Sequence, residues 1–357
     1  MWGEKIKFSY TPYRLKFKEP GGTSRGILYE KLTYIIKLQD QENADLKVYG
    51  EVPYFQGLSK EPLEIVESKL KDLCKITNYK EITEESGLSS LDFGIQQIRN
   101  AIKNYETGYC FPSPFTHNST TITINGLIWM GAFSEMYKRV LKKIEEGFTC
   151  IKLKIGAINW DDEILLIKKL RDIGGENLTI RVDANGAFSV EECMYRLDTL
   201  SRYNIHSIEQ PIQAGNYKEM KKICESSPIP VALDEDLVGL PVNEQREEML
   251  NYLKPAYLIL KPALCFGFNG ASDWIKRAER NNIGWWITSA LESTIGLTAI
   301  AEYTGALNPN VPQGLGTGNL YYNNFLSPLR LLNDKLEFVG PSHIYYDEME
   351  KLEWREQ

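Results

Sequence analysis

The sequence predicts an α/β chain in which a closed barrel of alternating strands and helices follows a smaller α+β region. Three observations carry this expectation. From Thr121 onward, short apolar runs alternate with segments of helical spacing. Those runs are apolar on both faces, as in a parallel sheet covered by helices. About eight such units fit into about 200 residues, which favours a closed barrel over an open sheet. The length of 357 residues suggests about two domains.

Before Thr121 the pattern is mixed. Tyr13 to Phe17 and Leu32 to Leu38 alternate like antiparallel strands, while Pro62 to Lys71 and Leu91 to Asn104 carry helical spacing. Pro20 to Gly26 is expected to be a hairpin loop of φ-permissive residues. A second loop, Gly50 to Gly57, carries Pro53, Tyr54 and Phe55. Both loops are either solvent turns or lids over a pocket in the neighbouring domain.

The barrel strands are read as Thr121 to Trp129, Cys150 to Ile155, Thr179 to Ala184, Ser207 to Glu209, Val231 to Asp234, Tyr257 to Lys261 and Trp285 to Ser289. A last, weak strand is Gln313 to Leu315. Helices are expected up to Gly147, from Trp160 and from Ser189, with helical patterns after each later strand; the stretch from Asp234 to Lys261, with Glu244 to Glu248, is a long linker. Tyr321 to Gln357 is charged and aromatic and is expected to pack back against the first domain.

A net charge of -7 argues against a general nucleic-acid surface. No apolar run approaches the roughly 20 residues of a membrane span, and the charged start does not resemble a signal peptide. The six cysteines contain no CxxC pair and are expected to be free thiols of a cytoplasmic protein. His117, His206 and His343 form no metal-ligand spacing. No GxGxxG or Walker-type loop follows the first barrel strand, which weakens nucleotide binding. Oligomeric state stays open.

The chemistry is expected around Cys150 to Gly156, where Lys152 and Lys154 sit two apart in an apolar run and so share one face of a strand. Buried ammonium groups need acidic partners. Asp183, Glu209 and Asp234 end the next three apolar runs, and Lys261 ends the fourth. In parallel barrels the active site forms at the C-terminal strand ends, so three carboxylates would converge there. Their repulsion calls for a divalent cation of oxygen preference, most simply Mg²⁺. Repulsion between Lys152 and Lys154 is expected to lower the pKa of the less compensated amine, making it a base for a proton alpha to a metal-bound carboxylate. Glu235 is expected to pair with Lys261 and keep it charged.

The series CIKLKIG, RVDANGAF, SIEQPI, ALDEDL, LILKPAL and ITSALESTIG resembles the enolase superfamily, muconate-lactonizing subgroup. Within the subgroup it is most similar to the o-succinylbenzoate-forming synthases, especially through Ile124 to Gly131. The resemblance implies a (β/α)7β barrel over 121–320 and an α+β capping domain over 1–120, completed by 321–357. It implies that Lys154 abstracts the alpha proton, that Asp183, Glu209 and Asp234 bind Mg²⁺, and that Lys261 faces the other side of the substrate. Lys152 would contact the substrate carboxylate, with Asn185 and Glu235 in support. Ser289, with backbone near Gly316 and Gly318, would bind a succinyl side chain, and Thr23, Ser24 and Arg25 would belong to a mobile capping loop. The implied reaction is dehydration of 2-succinyl-6-hydroxy-2,4-cyclohexadiene-1-carboxylate to o-succinylbenzoate, a step of menaquinone biosynthesis.

The residues also exclude relatives. No histidine lies between His206 and His343, so a mandelate-racemase-like His/Asp pair is absent. Dipeptide epimerases place Asp-x-Asp on the eighth strand, where this chain has Gly314 to Gly318 and no acid. Racemisation of N-acylated amino acids and muconate cycloisomerisation remain open, because both use two lysines. A non-catalytic barrel would have no use for six buried charges.

Overall fold

The computed structural model describes residues 2–23 and 26–356. Two long antiparallel arms, β1 (Ile6–Thr23) and β2 (Gly26–Asp40), open the chain, and β3 (Lys47–Val52) joins the free edge of β2. Alternation places Phe8, Tyr10, Ile36 and Leu38 on one face, where they bury against α1 (Leu63–Leu73) and α2 (Ser89–Lys103). Ile35 and Tyr49, from the other face, pack with Ile295, Tyr345 and Met349.

The expected loop at Pro20 to Gly26 is largely strand. After a register shift between Lys16 and Gly21, the arms pair again from Gly21 opposite Leu28 to Thr23 opposite Gly26. The glycines serve close approach here: a Cβ on Gly22 would stand 2.7 Å from the Met130 carbonyl oxygen. Gly22 therefore lies against the backbone of Met130, just after the strand Gly126–Ile128.

The first expected barrel strand is broken in two, β4 (Ile122–Thr123) and β5 (Gly126–Ile128). Only β5 enters the barrel. It is followed by α3 (Phe133–Glu145), β6 (Cys150–Lys154), α4 (Trp160–Gly174), β7 (Thr179–Asp183), α5 (Val190–Ser201), β8 (Ile205–Glu209), α6 (Tyr217–Ser226) and β9 (Val231–Leu233). The expected linker after Asp234 contains α7 (Glu244–Leu253); then come β10 (Tyr257–Leu260), α8 (Gly267–Arg280), β11 (Gly284–Ile287) and α9 (Thr294–Leu307). The seven strands β5 to β11 lie in sequence order, all parallel.

Closure is thinner than the expected eighth strand. Gln313 bridges to Ile124 and Gly314 to Thr288, with no longer ladder among the described residues. The Gln313 side chain substitutes for a missing strand partner by accepting from the Ile287 N–H at 2.8 Å. A Cβ on Gly314 would meet Thr288 Oγ1 at 2.3 Å, so glycine lets the closing segment lie against β11.

The C-terminal segment serves both halves. Its hairpin, β12 (Leu329–Leu332) and β13 (Lys335–Phe338), pairs with β4, and Arg355 and Tyr321 bridge to Tyr10 and Phe17 of β1. All six cysteines are free. Among the described residues, no helix is long and apolar enough to cross a membrane.

Candidate active site

Strand register gathers the charged residues. Lys154 lies opposite Asp183 and Asp183 opposite Glu209, so β6, β7 and β8 present one row at their C-terminal ends. Asp234 follows directly after β9, and Lys261 after β10. Three strands separate β6 from β10, which puts the lysines on opposite walls. Ile151, Leu153 and Ile155 point the other way and are fully buried.

The contacts are direct. Lys152 Nζ donates to both Glu209 oxygens at 2.7 Å and lies 2.8 Å from Asp183 Oδ2. Lys154 Nζ donates to Asp183 Oδ2 at 3.2 Å and to Asn185 Oδ1 at 2.5 Å. It also stands 5.9 Å from the centre of the Trp129 ring. Lys261 Nζ donates to Asp234 Oδ2. Asn185 adopts a left-handed φ of 45°, and its Nδ2 donates to Glu235 Oε1 at 3.1 Å.

Charge balance follows from this packing. Burial alone would lower the Lys152 pKa, but Asp183, Glu209 and Asp234 hold it above the ordinary lysine value. Lys261 is likewise raised against its burial, by Asp234 first and Glu235 next. Of Lys152 and Lys154, Lys152 is thus the amine that the carboxylates compensate, and not the one expected to be depressed. Its direct contact makes Asp234 the main partner of Lys261, with Glu235 acting through space. Asp183 stays ionised: Lys152, Lys154 and Lys261 outweigh its burial. Burial and the neighbouring Asp183 and Asp234 push the Glu209 pKa up, with Lys152 and Lys261 opposing.

That crowding bears on a metal. Among the described residues no three acids already stand in a metal-holding cluster, because Lys152 and Lys261 occupy the carboxylate oxygens. The donor set nonetheless fits a hard cation: three carboxylates end adjacent strands, and Asp234 Oδ1 is buried with no hydrogen-bond partner.

Above these groups lies a cavity. Lys152, Lys154, Asp183, Asn185 and Lys261 line its charged part. Phe55 and Leu58, from the Gly50 to Gly57 loop and just after it, line the remainder with Trp129 and Leu291, as a lid would. Ser289 and Gly316 also line the cavity, whereas Gly318 does not and instead accepts from Asn324 Nδ2 at 3.2 Å. The Ser289 hydroxyl donates to Glu292 Oε2 at 2.6 Å and accepts from Thr317 Oγ1 and from the Leu291 N–H, each at 2.9 Å. Its proton and both lone pairs are thus committed within the protein. Thr23 ends β1, but its side chain, together with Ser24 and Arg25, lies outside the described residues.

Sequence reasoning missed Gln210 and Trp129. Gln210 Oε1 accepts from the Asp234 N–H at 3.2 Å while its Nε2 donates to Asp236 at 2.8 Å, fixing the turn that carries Asp234. Its position directly after Glu209 was the available signal. Trp129 ends the first expected barrel strand, and nothing in its spacing reveals that its ring lies 5.9 Å from Lys154.

Comparison with known proteins agrees with this geometry. Residues 135–336 match the enolase C-terminal domain-like family. The chain is 39% identical over 359 residues to an o-succinylbenzoate synthase of Desulfotalea psychrophila, spanning 91% of this chain and 96% of that protein. The crystal structure of MenC from the same organism superposes with a TM-score of 0.78 at 35% identity, covering 93% and 99% of the two chains. A dipeptide epimerase from Enterococcus faecalis, solved with Mg and a dipeptide, shares the fold with a TM-score of 0.76 at 18% identity, covering 96% and 99%. The chain belongs to the enolase superfamily, in its muconate-lactonizing subgroup, together with the o-succinylbenzoate synthases.

Proposed function

We propose that this protein is an o-succinylbenzoate synthase, a lyase that dehydrates 2-succinyl-6-hydroxy-2,4-cyclohexadiene-1-carboxylate by syn elimination. The observation that carries it is the pairing of two opposed lysine walls with three strand-end carboxylates, in a chain 39% identical to such a synthase.

In this mechanism Lys154 Nζ removes the proton alpha to the substrate carboxylate. Asp183 and Asn185 aim it, and the Trp129 ring stands 5.9 Å from it in the same cavity wall. Lys152 meets the substrate carboxylate from the same wall. Lys261, held charged by Asp234 and Glu235, faces the substrate from the opposite wall and favours the negative charge that develops when the proton leaves. Asp183, Glu209 and Asp234 would hold Mg²⁺, which when bound supplies positive charge beside the substrate carboxylate. The enediolate then expels the 6-hydroxyl, which takes back from Lys154 the proton just removed and leaves as water, and the ring becomes aromatic, so the protein's main task is proton removal. Phe55 and Leu58 exclude water from above.

Residues 1–120 with 321–357 would act as the cap, and 121–320 as the catalytic barrel. A cytoplasmic location belongs to the same proposal and is supported by six free thiols. The partner is a small carboxylate.

The test gives purified protein and Mg²⁺ the cyclohexadiene hydroxy acid, followed by product absorbance, beside N-succinyl amino acids followed by optical rotation. Formation of the aromatic product is expected. Turnover of the amino acids alone would replace the synthase by the acylamino-acid racemase alternative.

A further inference from the structure

Lys31 on β2 is buried, and its Nζ has no hydrogen-bond partner. It lies 5.7 Å from the centre of the Phe55 ring, and Phe55 lines the cavity. Burial lowers the Lys31 pKa from the ordinary lysine value, and two acids oppose that and favour its charged form, Glu51 and Glu292, both fully buried. Each is already satisfied by dipoles. Glu51 accepts from Thr33 Oγ1 at 2.7 Å, from Ser293 Oγ at 2.6 Å and from the Gly296 N–H at 2.9 Å. Glu292 accepts from Ser289 Oγ at 2.6 Å and from the Ala290 N–H at 2.8 Å.

This asymmetry needs a reason. A lysine serving only to neutralise these acids would be expected to touch one of them, because an unpartnered buried ammonium is costly. The substrate of the proposed reaction carries two carboxylates, one on the reacting carbon and one ending the succinyl chain. Among the described residues lining the cavity, the cations are Lys152, Lys154 and Lys261, all gathered at the acids. Away from that cluster the lining carries no charge: it offers apolar side chains such as Phe55, Leu58 and Leu291, and the neutral polar groups of Asn125, Thr288, Thr317 and a Ser289 hydroxyl that is already saturated.

We propose that Lys31 is a specificity-determining residue whose charge, held behind Phe55, favours a substrate side chain ending in a carboxylate over the same skeleton ending in a neutral group. The proposal rests on the synthase assignment above. A unit charge acting across a poorly screened wall can discriminate on the order of tenfold without contact.

The experiment compares kcat/KM for the dicarboxylate and for its side-chain methyl ester in wild type, Lys31→Met and Lys31→Arg. Wild type should prefer the dicarboxylate. Lys31→Met should shrink that preference about tenfold through the KM of the dicarboxylate, with kcat little changed, and Lys31→Arg should retain it. An unchanged ratio in Lys31→Met, or equal loss on both compounds, would overturn the proposal. Should Lys31→Met not fold, Glu292→Gln removes a neighbouring negative charge and should widen the ratio; a ratio that stays constant or narrows counts against Lys31. Failure of wild type to turn over either compound would sink the synthase assignment itself, whereas turnover with an unaltered ratio sinks only the role of Lys31.

Discussion

Lys154 and Asn185 are joined across neighbouring strands: the ammonium donates to Asn185 Oδ1 at 2.5 Å, and the same amide donates onward to Glu235 at 3.1 Å. One amide thus links the proposed base to the acid that helps to keep Lys261 charged on the opposite wall. Asn185→Ala should leave Lys154 misaimed, lowering kcat about 10- to 100-fold with a smaller change in KM, as expected when a positioning contact is lost. Steady-state kinetics check this; an unaltered kcat would show that Lys154 is aimed by Asp183 alone.

Metal binding should register in stability as well as activity. Mg²⁺ at about 100 times its Kd adds about 2.7 kcal/mol to the folded state, a rise in Tm of a few degrees for a chain of this size. Asp234→Asn should abolish most of that rise, because it removes one of the three carboxylates. Differential scanning calorimetry with and without Mg²⁺ makes the comparison. An equal rise in the variant would place the ion elsewhere.

Much of this site was legible in the sequence because its logic is local. A strand buried on both faces must be apolar throughout, so an acid or lysine at its end stands out, as Asp183, Glu209 and Lys261 do. What escaped depends on partners distant in the chain. The break at Ile124 follows from the pairing of Ile122 with Leu336, and the strand character of Gly21 to Thr23 follows from pairing beyond a register shift. The saturation of Ser289 needs Thr317 from the closing segment and Glu292 from the turn before α9. Gln313 to Leu315 reads as a weak strand, and its bridges are too few to make one.

A pH effect on stability is expected away from the site. Burial pushes the Glu302 carboxyl up to about 7, against hydrogen bonds from Ser342 and from the Phe111 and Cys110 N–H groups. The fold therefore holds this proton more firmly than the unfolded chain does. Stability should fall as pH rises from about 4.5 through about 7, by at most on the order of 3 kcal/mol from this group. Glu302→Gln should flatten that part of the profile and gain on wild type at pH 8 relative to pH 5. Denaturant midpoints at the two pH values decide it, and parallel profiles would contradict the assignment.

The central claim is that Lys154 takes the alpha proton while Lys261 faces it across the carboxylates, and the most direct measurement is turnover of the cyclohexadiene hydroxy acid by Lys154→Ala with saturating Mg²⁺. The account predicts a variant with wild-type circular dichroism whose rate of aromatic product formation falls by about 10² to 10⁴. A rate near that of wild type would contradict it.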